Sequence, residues 1–281
     1  MLVSLFASLL ALVQPLWPDE KKIPDFREIQ IAAPLDEMKK PGFDRAAHRM
    51  PYLEWAEPPA KTNGACVVLL PGGGYNVTTD IAPFKRIEGF LRGQGYFCVW
   101  LMYRTPRPAG LPIYQSAWQD GQRGVRLVRA AARERGFDPE RIGAIGCSAG
   151  SHLALMLGTS ALTAAYERID KTDDIPCHLN WVLAMCPAYV LTDGLTGPNE
   201  KKGEGTDVRL SPAFKFDART CPMCFFHGET DIYSANGSKR LAEKLTDMGI
   251  ASKVFLYPNR GHGPFGAGEL KKGLDLLLKS R

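Results

Sequence analysis

The chain has 281 residues, 45% hydrophobic and 23% charged, with a formal net charge of +5 at pH 7. That length and apolar content suffice to bury a large core as one domain, which excludes a disordered or fibrous chain. The basic residues are spread in pairs (Lys21-Lys22, Lys39-Lys40, Lys201-Lys202, Lys271-Lys272), a solvated surface and not the concentrated basic face that a nucleic-acid partner requires.

In chain order, the first element is an apolar run, Leu2–Val13. It is too short for a membrane-spanning helix, which needs about 20 residues. It fits the hydrophobic region of an export signal, although no Lys or Arg precedes it and no clean Ala-x-Ala site follows. We read residues 1–20 as a signal peptide, residues 21–60 as a loose lead-in, and 61–281 as one α/β domain. This predicts a periplasmic or secreted protein, or a cytoplasmic one if the run is instead a buried helix. Strand-like runs follow at Ala65–Leu70, Tyr96–Tyr103, Ile142–Gly146, Trp181–Cys186, Met223–His227 and Lys253–Tyr257. Helix-like segments fall near Ala82–Arg92, Gln115–Arg135, Ser151–Gly158, Ser234–Met248 and Gly266–Lys279. This alternation predicts a mostly parallel sheet with helices on both faces, and continuously apolar strands agree with burial on both sides. Leu191–Phe216 breaks the pattern with a Gly-, Lys- and Glu-rich stretch, expected as a polar flap over the strand ends.

Chemistry concentrates at four places. Gly146-Cys147-Ser148-Ala149-Gly150 lies between a strand and a helix, the context of a sharp turn that exposes a serine hydroxyl above the sheet. Pro71-Gly72-Gly73-Gly74-Tyr75 follows the first strand of the domain, where consecutive glycines let backbone N–H groups turn toward a ligand. It lacks both the Walker pattern and Gly-x-Gly-x-x-Gly. A serine hydroxyl needs a base, and that base needs an orienting acid. Of the five histidines, His262 sits in a glycine-flanked loop beyond a strand. His152 reads as helix packing, His227 as a strand-end residue, and His48 and His178 carry no signal. Asp231, after the strand ending at His227, is the candidate acid, with Glu229 as its competitor and helix capping as its structural alternative.

These residues together resemble the α/β-hydrolase superfamily, and within it the bacterial esterase/lipase branch that includes acetyl esterases and hormone-sensitive lipase. The likeness runs from about Ala65 to the C-terminus. It includes Trp100-Leu-Met-Tyr103-Arg104, Asp138-Pro-Glu-Arg141, Gly146-Cys-Ser-Ala-Gly150 and His227-Gly-Glu-Thr-Asp231. It also covers the Gly-rich loop and Gly261-His262-Gly263. The resemblance implies Ser148 as nucleophile, Asp231 as acid and His262 as base. It implies an oxyanion hole formed by the N–H groups of Gly73, Gly74 and Ala149. Two positions depart from the pattern: Pro71 stands where histidine is common, and Ser151 where glycine is frequent. Tyr75 is expected to border the acyl pocket.

The implied function is hydrolysis of carboxylic esters through an acyl-enzyme, with short acyl groups and acetylated sugars or polysaccharides as the substrate class. A polar flap suits a sugar alcohol better than a lipid. No cofactor, metal, nucleic acid or stable membrane span is expected. The alternatives are an inactive hydrolase fold used for binding and, more remotely, a peptidase. Seven cysteines read as mostly free, buried thiols, with room for one disulfide if the protein is exported. Cys221-Pro-Met-Cys224 enters a strand and does not open a helix, against a thioredoxin-like site. Cys147 flanks the nucleophile position without occupying it. Asn76-Val-Thr78 and Asn236-Gly-Ser238 match the glycosylation pattern, but a glycan on the first would block the glycine loop.

Overall fold

The structure, a computed structural model, describes residues 12–192 and 209–279. Eight strands form one sheet: β1 Val13–Pro15, β2 Tyr52–Trp55, β3 Cys66–Leu70, β4 Phe97–Met102, β5 Ile142–Cys147, β6 Trp181–Met185, β7 Met223–Gly228 and β8 Ser252–Tyr257. Their order is β1-β2-β4-β3-β5-β6-β7-β8. β1 pairs antiparallel with β2 and β2 with β4, and every other pairing is parallel. The helices are the short α1 (Leu35–Met38), then α2 (Ala82–Gly93), α3 (Gln115–Arg135), α4 (Ala149–Thr159), α5 (Ala235–Asp247) and α6 (Ala267–Lys279).

Alternate strand residues separate two apolar layers. Val68, Leu70, Val99, Leu101, Ala144 and Phe225 face one side with Val125 and Val128 of α3, Leu153 of α4 and Leu241 of α5. Val67, Leu69, Trp100, Ile145, Leu183 and Phe226 face the other with Ile87 and Leu91 of α2 and Leu270 and Leu274 of α6. Both faces are covered, which is why β3, β4 and β5 are buried along their whole length. Expected and observed elements differ by one or two residues at their ends, within the ordinary fraying of helix and strand termini. No helix among the described residues is long and apolar enough to cross a membrane.

The N-terminal stretch differs from a loose lead-in. β2 alternates half-buried and buried residues and joins the sheet edge, and β1 adds to it. Leu16 and Trp17 are 1% and 2% exposed. The Trp17 indole donates to Asp120 at 2.9 Å, and the Arg123 guanidinium donates to the Leu16 carbonyl at 2.8 Å. A leader ending at residue 20 would remove this strand and both buried side chains. Asp120 is fully buried against Arg104 at 2.9 Å, and Arg123 bridges Asp170 and Asp173 at 2.7 and 3.1 Å. Both side chains of α3 therefore act in packing, anchoring Leu16 and Trp17, and the segment of Asp170 and Asp173, to the helix. The centre of the expected flap, residues 193–208, lies outside the described residues. Its base is an antiparallel bridge between Leu191 and Leu210.

Candidate active site

Ser148 connects the end of β5 to the start of α4 with φ 55° and ψ −121°, a left-handed conformation that costs a non-glycine residue free energy. The surrounding contacts hold it there. The Ser148 N–H donates to the Met185 carbonyl at 2.9 Å, and the Ser148 carbonyl accepts from His152 N–H at 3.1 Å. The two flanking glycines are dictated by close approach. A Cβ on Gly146 would lie 2.3 Å from the Gly150 carbonyl oxygen, and one on Gly150 would lie 2.2 Å from that of Leu70. Ser151 fills the position where glycine is frequent by donating its hydroxyl to the Met185 carbonyl at 2.8 Å.

The glycine loop after β3 backs directly onto this turn: a Cβ on Gly72 would meet the Ser148 Cβ at 3.2 Å. Gly73 and Gly74 have φ of 122° and 62°. The Gly73 carbonyl accepts from Asn76 and Val77 N–H at 3.0 and 3.2 Å, which closes the loop. No described group accepts from the N–H of Gly73, Gly74 or Ala149. The Tyr103 hydroxyl donates to the Pro71 carbonyl at 2.6 Å. This supports the loop from beneath, where proline replaces the more common histidine.

His262 lies in the loop between β8 and α6, with its side chain 25% exposed. Its Nδ1 is 2.9 and 3.0 Å from the two carboxylate oxygens of Asp231, which is itself buried. Burial pushes the Asp231 carboxyl up, but hydrogen bonds from His262 and from the Tyr233 N–H outweigh it and hold the group below its ordinary value. An ionised Asp231 fixes the proton on Nδ1 and leaves Nε2 as the free basic nitrogen. Asp231 does not cap α5; Ser234 does, accepting from the Asn236 N–H. Glu229 is exposed. His227 supports this loop: with Nε2 protonated it donates to the Tyr233 carbonyl and accepts from the Ser238 hydroxyl at Nδ1, both at 3.0 Å.

Ser148, His262 and Gly72 to Gly74 line one cavity of about 380 Å³ with Leu35, Thr79, Asp80, Phe84 and Pro264. Tyr75 does not line it. The ring is 1% exposed, and its hydroxyl lies 2.8 Å from Nδ1 of the buried His152. Tyr75 also stacks on Tyr189. At φ 61° the Tyr75 ring packs among Tyr103, His152 and Tyr189 and takes no part in the cavity wall. His152 is the helix-packing residue expected, and burial pushes its pKa down to about 3. Between its unfolded value, about 6.5, and about 3 the unfolded chain takes up a proton that the native imidazole refuses. Stability is therefore lost as pH falls through that window. His152→Gln is expected to show a smaller drop in melting temperature between pH 7 and pH 4 than the wild type. Equal drops would assign the acid sensitivity to other groups.

Two cysteines lie beside the site. The Cys147 thiol, hydrogen-bonded with Cys186 and buried, is held well above the ordinary thiol range, which removes it as a nucleophile. Cys186, which sequence reading passed over, has φ 44°, donates to the Gly263 carbonyl at 2.6 Å and accepts from the Gly263 N–H at 3.3 Å. It thereby fixes the residue after His262. Its Sγ, an Asp231 carboxylate oxygen and a ring nitrogen of His262 lie within 4.8 Å of one another, donors of the kind zinc takes, although Asp231 and His262 are already joined by a hydrogen bond.

The BD-FAE family model matches residues 55–245. An acetylxylan esterase of Xylanibacter ruminicola is 23% identical over 79% of this chain and 45% of its own length. The chain thus spans less than half of that curated relative. Among solved structures, an acetyl ester-xyloside bifunctional hydrolase from Caldicellulosiruptor lactoaceticus superposes with a TM-score of 0.66 at 21% identity, covering 95% of this chain and 93% of that one. Thermogutta terrifontis esterase 2 phosphorylated by paraoxon gives 0.64 at 22% identity, covering 81% and 86%. These likenesses show the α/β-hydrolase fold.

Proposed function

Because the chain belongs to the BD-FAE family, we propose that it is a serine esterase that hydrolyses short-chain carboxylic esters, with acetylated sugars as its substrate class. The reading is carried by the His262 Nδ1–Asp231 pair at 2.9 and 3.0 Å, whose imidazole lines the same cavity as Ser148. Nε2 of His262 removes the Ser148 proton as Oγ attacks the ester carbonyl. The N–H groups of Gly73, Gly74 and Ala149 hold the oxyanion of the tetrahedral intermediate. His262 then protonates the leaving alcohol, and a water deprotonated by the same nitrogen releases the acid from the acyl-enzyme. Asp231 stays ionised throughout and stabilises the imidazolium. A volume of about 380 Å³, near the small end of the ~300–1,000 Å³ typical of ligand sites, favours a short acyl group. The acetylxylan esterase likeness supports the sugar reading.

The test is labelling with a fluorophosphonate probe followed by peptide mapping. Modification at Ser148 that disappears in His262→Ala is expected. A well-folded protein that takes no label would favour a hydrolase fold used for binding.

A further inference from the structure

Asp80 is an ionisable group in the wall of the cavity that no described residue holds. It lines the same space as Ser148 and His262, is half-buried, and its Oδ1 is shut off from solvent without a hydrogen-bond partner. No described residue forms an ion pair or hydrogen bond with the carboxylate. The obvious structural use for an acid here would be to cap α2, which begins two residues later at Ala82. That use is absent: the cap position is Ile81, and no side chain bonds the first amides of the helix. The nearest lysine of that helix, Lys85, is engaged with Glu54 and Glu88 at 3.9 and 3.0 Å. With no donor among the described residues, the carboxylate that lines this wall is left to accept hydrogen bonds from a ligand in the cavity.

The neighbouring groups define what kind of donor fits. Thr79 lines the cavity beside Asp80; its N–H is used by the Gly72 carbonyl at 3.1 Å, while its hydroxyl has no described partner. Leu35, Pro83 and Phe84 supply apolar surface to the same walls. An acceptor, a donor-acceptor hydroxyl and a patch of apolar carbon match the two kinds of surface on a pyranose, its hydroxyl edge and its C–H face. A quaternary ammonium alcohol would leave the orphan acceptor unfilled, because it has no hydrogen to donate. An anionic alcohol would be repelled.

Resting on the esterase reading above, we propose that Asp80, with Thr79, recognises the alcohol half of the substrate by accepting hydrogen bonds from its free hydroxyls, so that the preferred substrate is a partial ester of a neutral polyol or sugar. Asp80 touches the leaving group and not the reacting carbonyl; it is a specificity residue.

The experiment compares kcat/KM for methyl 2-O-acetyl-xylopyranoside with its 3,4-di-O-methyl ether, using wild type, Asp80→Leu and the near-isosteric Asp80→Asn. The ratio between the two substrates is taken within one preparation, so partial unfolding of a variant cancels. Wild type is expected to favour the free diol by about 10- to 100-fold, the size of a lost hydrogen bond to a charged acceptor. The preference should collapse toward one in Asp80→Leu and fall to an intermediate value in Asp80→Asn. A preference that survives in Asp80→Leu, or one absent from wild type, overturns the proposal. So does an Asp80-dependent preference for 2-aminoethyl acetate over the sugar ester, which would make the carboxylate a cation site. 4-Nitrophenyl acetate, which carries no alcohol hydroxyl, separates the two levels. If wild type does not hydrolyse it, the esterase reading fails; if wild type does, any failure of the diol ratio belongs to Asp80 alone.

Discussion

Ser148→Ala is expected to lower kcat on 4-nitrophenyl acetate by about a millionfold, and adding His262→Ala should lower it little further. Nucleophile and base act as one unit: without the oxygen there is nothing to deprotonate, and without the imidazole the hydroxyl stays protonated, so the losses do not add. The substitution leaves the architecture of the turn in place. Alanine and serine suffer alike at φ 55°. The hydrogen bonds that hold the turn come from the Ser148 backbone and from the Ser151 hydroxyl, and all of them survive. Initial-rate kinetics combined with thermal melting separates chemistry from folding. An unchanged melting temperature with the activity gone is the predicted pair of results. Ser148→Ala rates within tenfold of wild type would remove the serine from the mechanism.

Gly73→Ala is expected to cost 100- to 1,000-fold in kcat/KM, the range found when one oxyanion donor is lost, and to lower the melting temperature as well. The reason is steric. At φ 122° a Cβ on residue 73 would lie 2.0 Å from the Val77 carbonyl oxygen and 2.8 Å from its carbon. Both are backbone atoms of the same closed loop and cannot move aside. The loop must rotate, and the N–H groups of residues 73 and 74 rotate with it. Gly74→Ala should be milder, because its Cβ would meet the Tyr189 hydroxyl at 3.3 Å, the end of a side chain. A Gly74→Ala defect larger than that of Gly73→Ala would show that the loop geometry is not what sets the rate.

Much of the molecule was legible in the one-dimensional pattern. Six strands and five helices were readable because continuous apolar runs and amphipathic stretches record which faces are covered, and local turn chemistry records where they end. The serine turn was readable for the same kind of reason: Gly146 and Gly150 are imposed by atoms of neighbouring turns, and the demand for two glycines leaves a mark at fixed spacing. Asp231 and His262 were singled out by chain order and by their positions after β7 and β8; in the structure Asp231 is buried beside His262 and Glu229 is exposed.

Other features carried no local mark. β1 and β2 are short and lie at a sheet edge, so their pairing depends on the register of β4 and not on a strong run of their own. Tyr75 follows three glycines, and its sequence position alone puts it at the pocket. In the structure, where Tyr75 has a positive φ, the ring instead packs onto His152, a residue 77 positions away. Cys186 and Asp80 looked unremarkable in the sequence, because what matters for each is its surroundings. Cys186 is defined by a loop that returns to it from residue 263, and Asp80 by the lack of a partner among the described residues in a wall shared with Leu35 and Pro264. The sequence by itself thus determined the sheet, the serine turn and the order of the candidate triad, all of which follow from sterics and periodicity among near neighbours. The tertiary structure alone decided which side chains face the cavity and which support it. That outcome is set by the meeting of surfaces far apart in the chain, which no local spacing records.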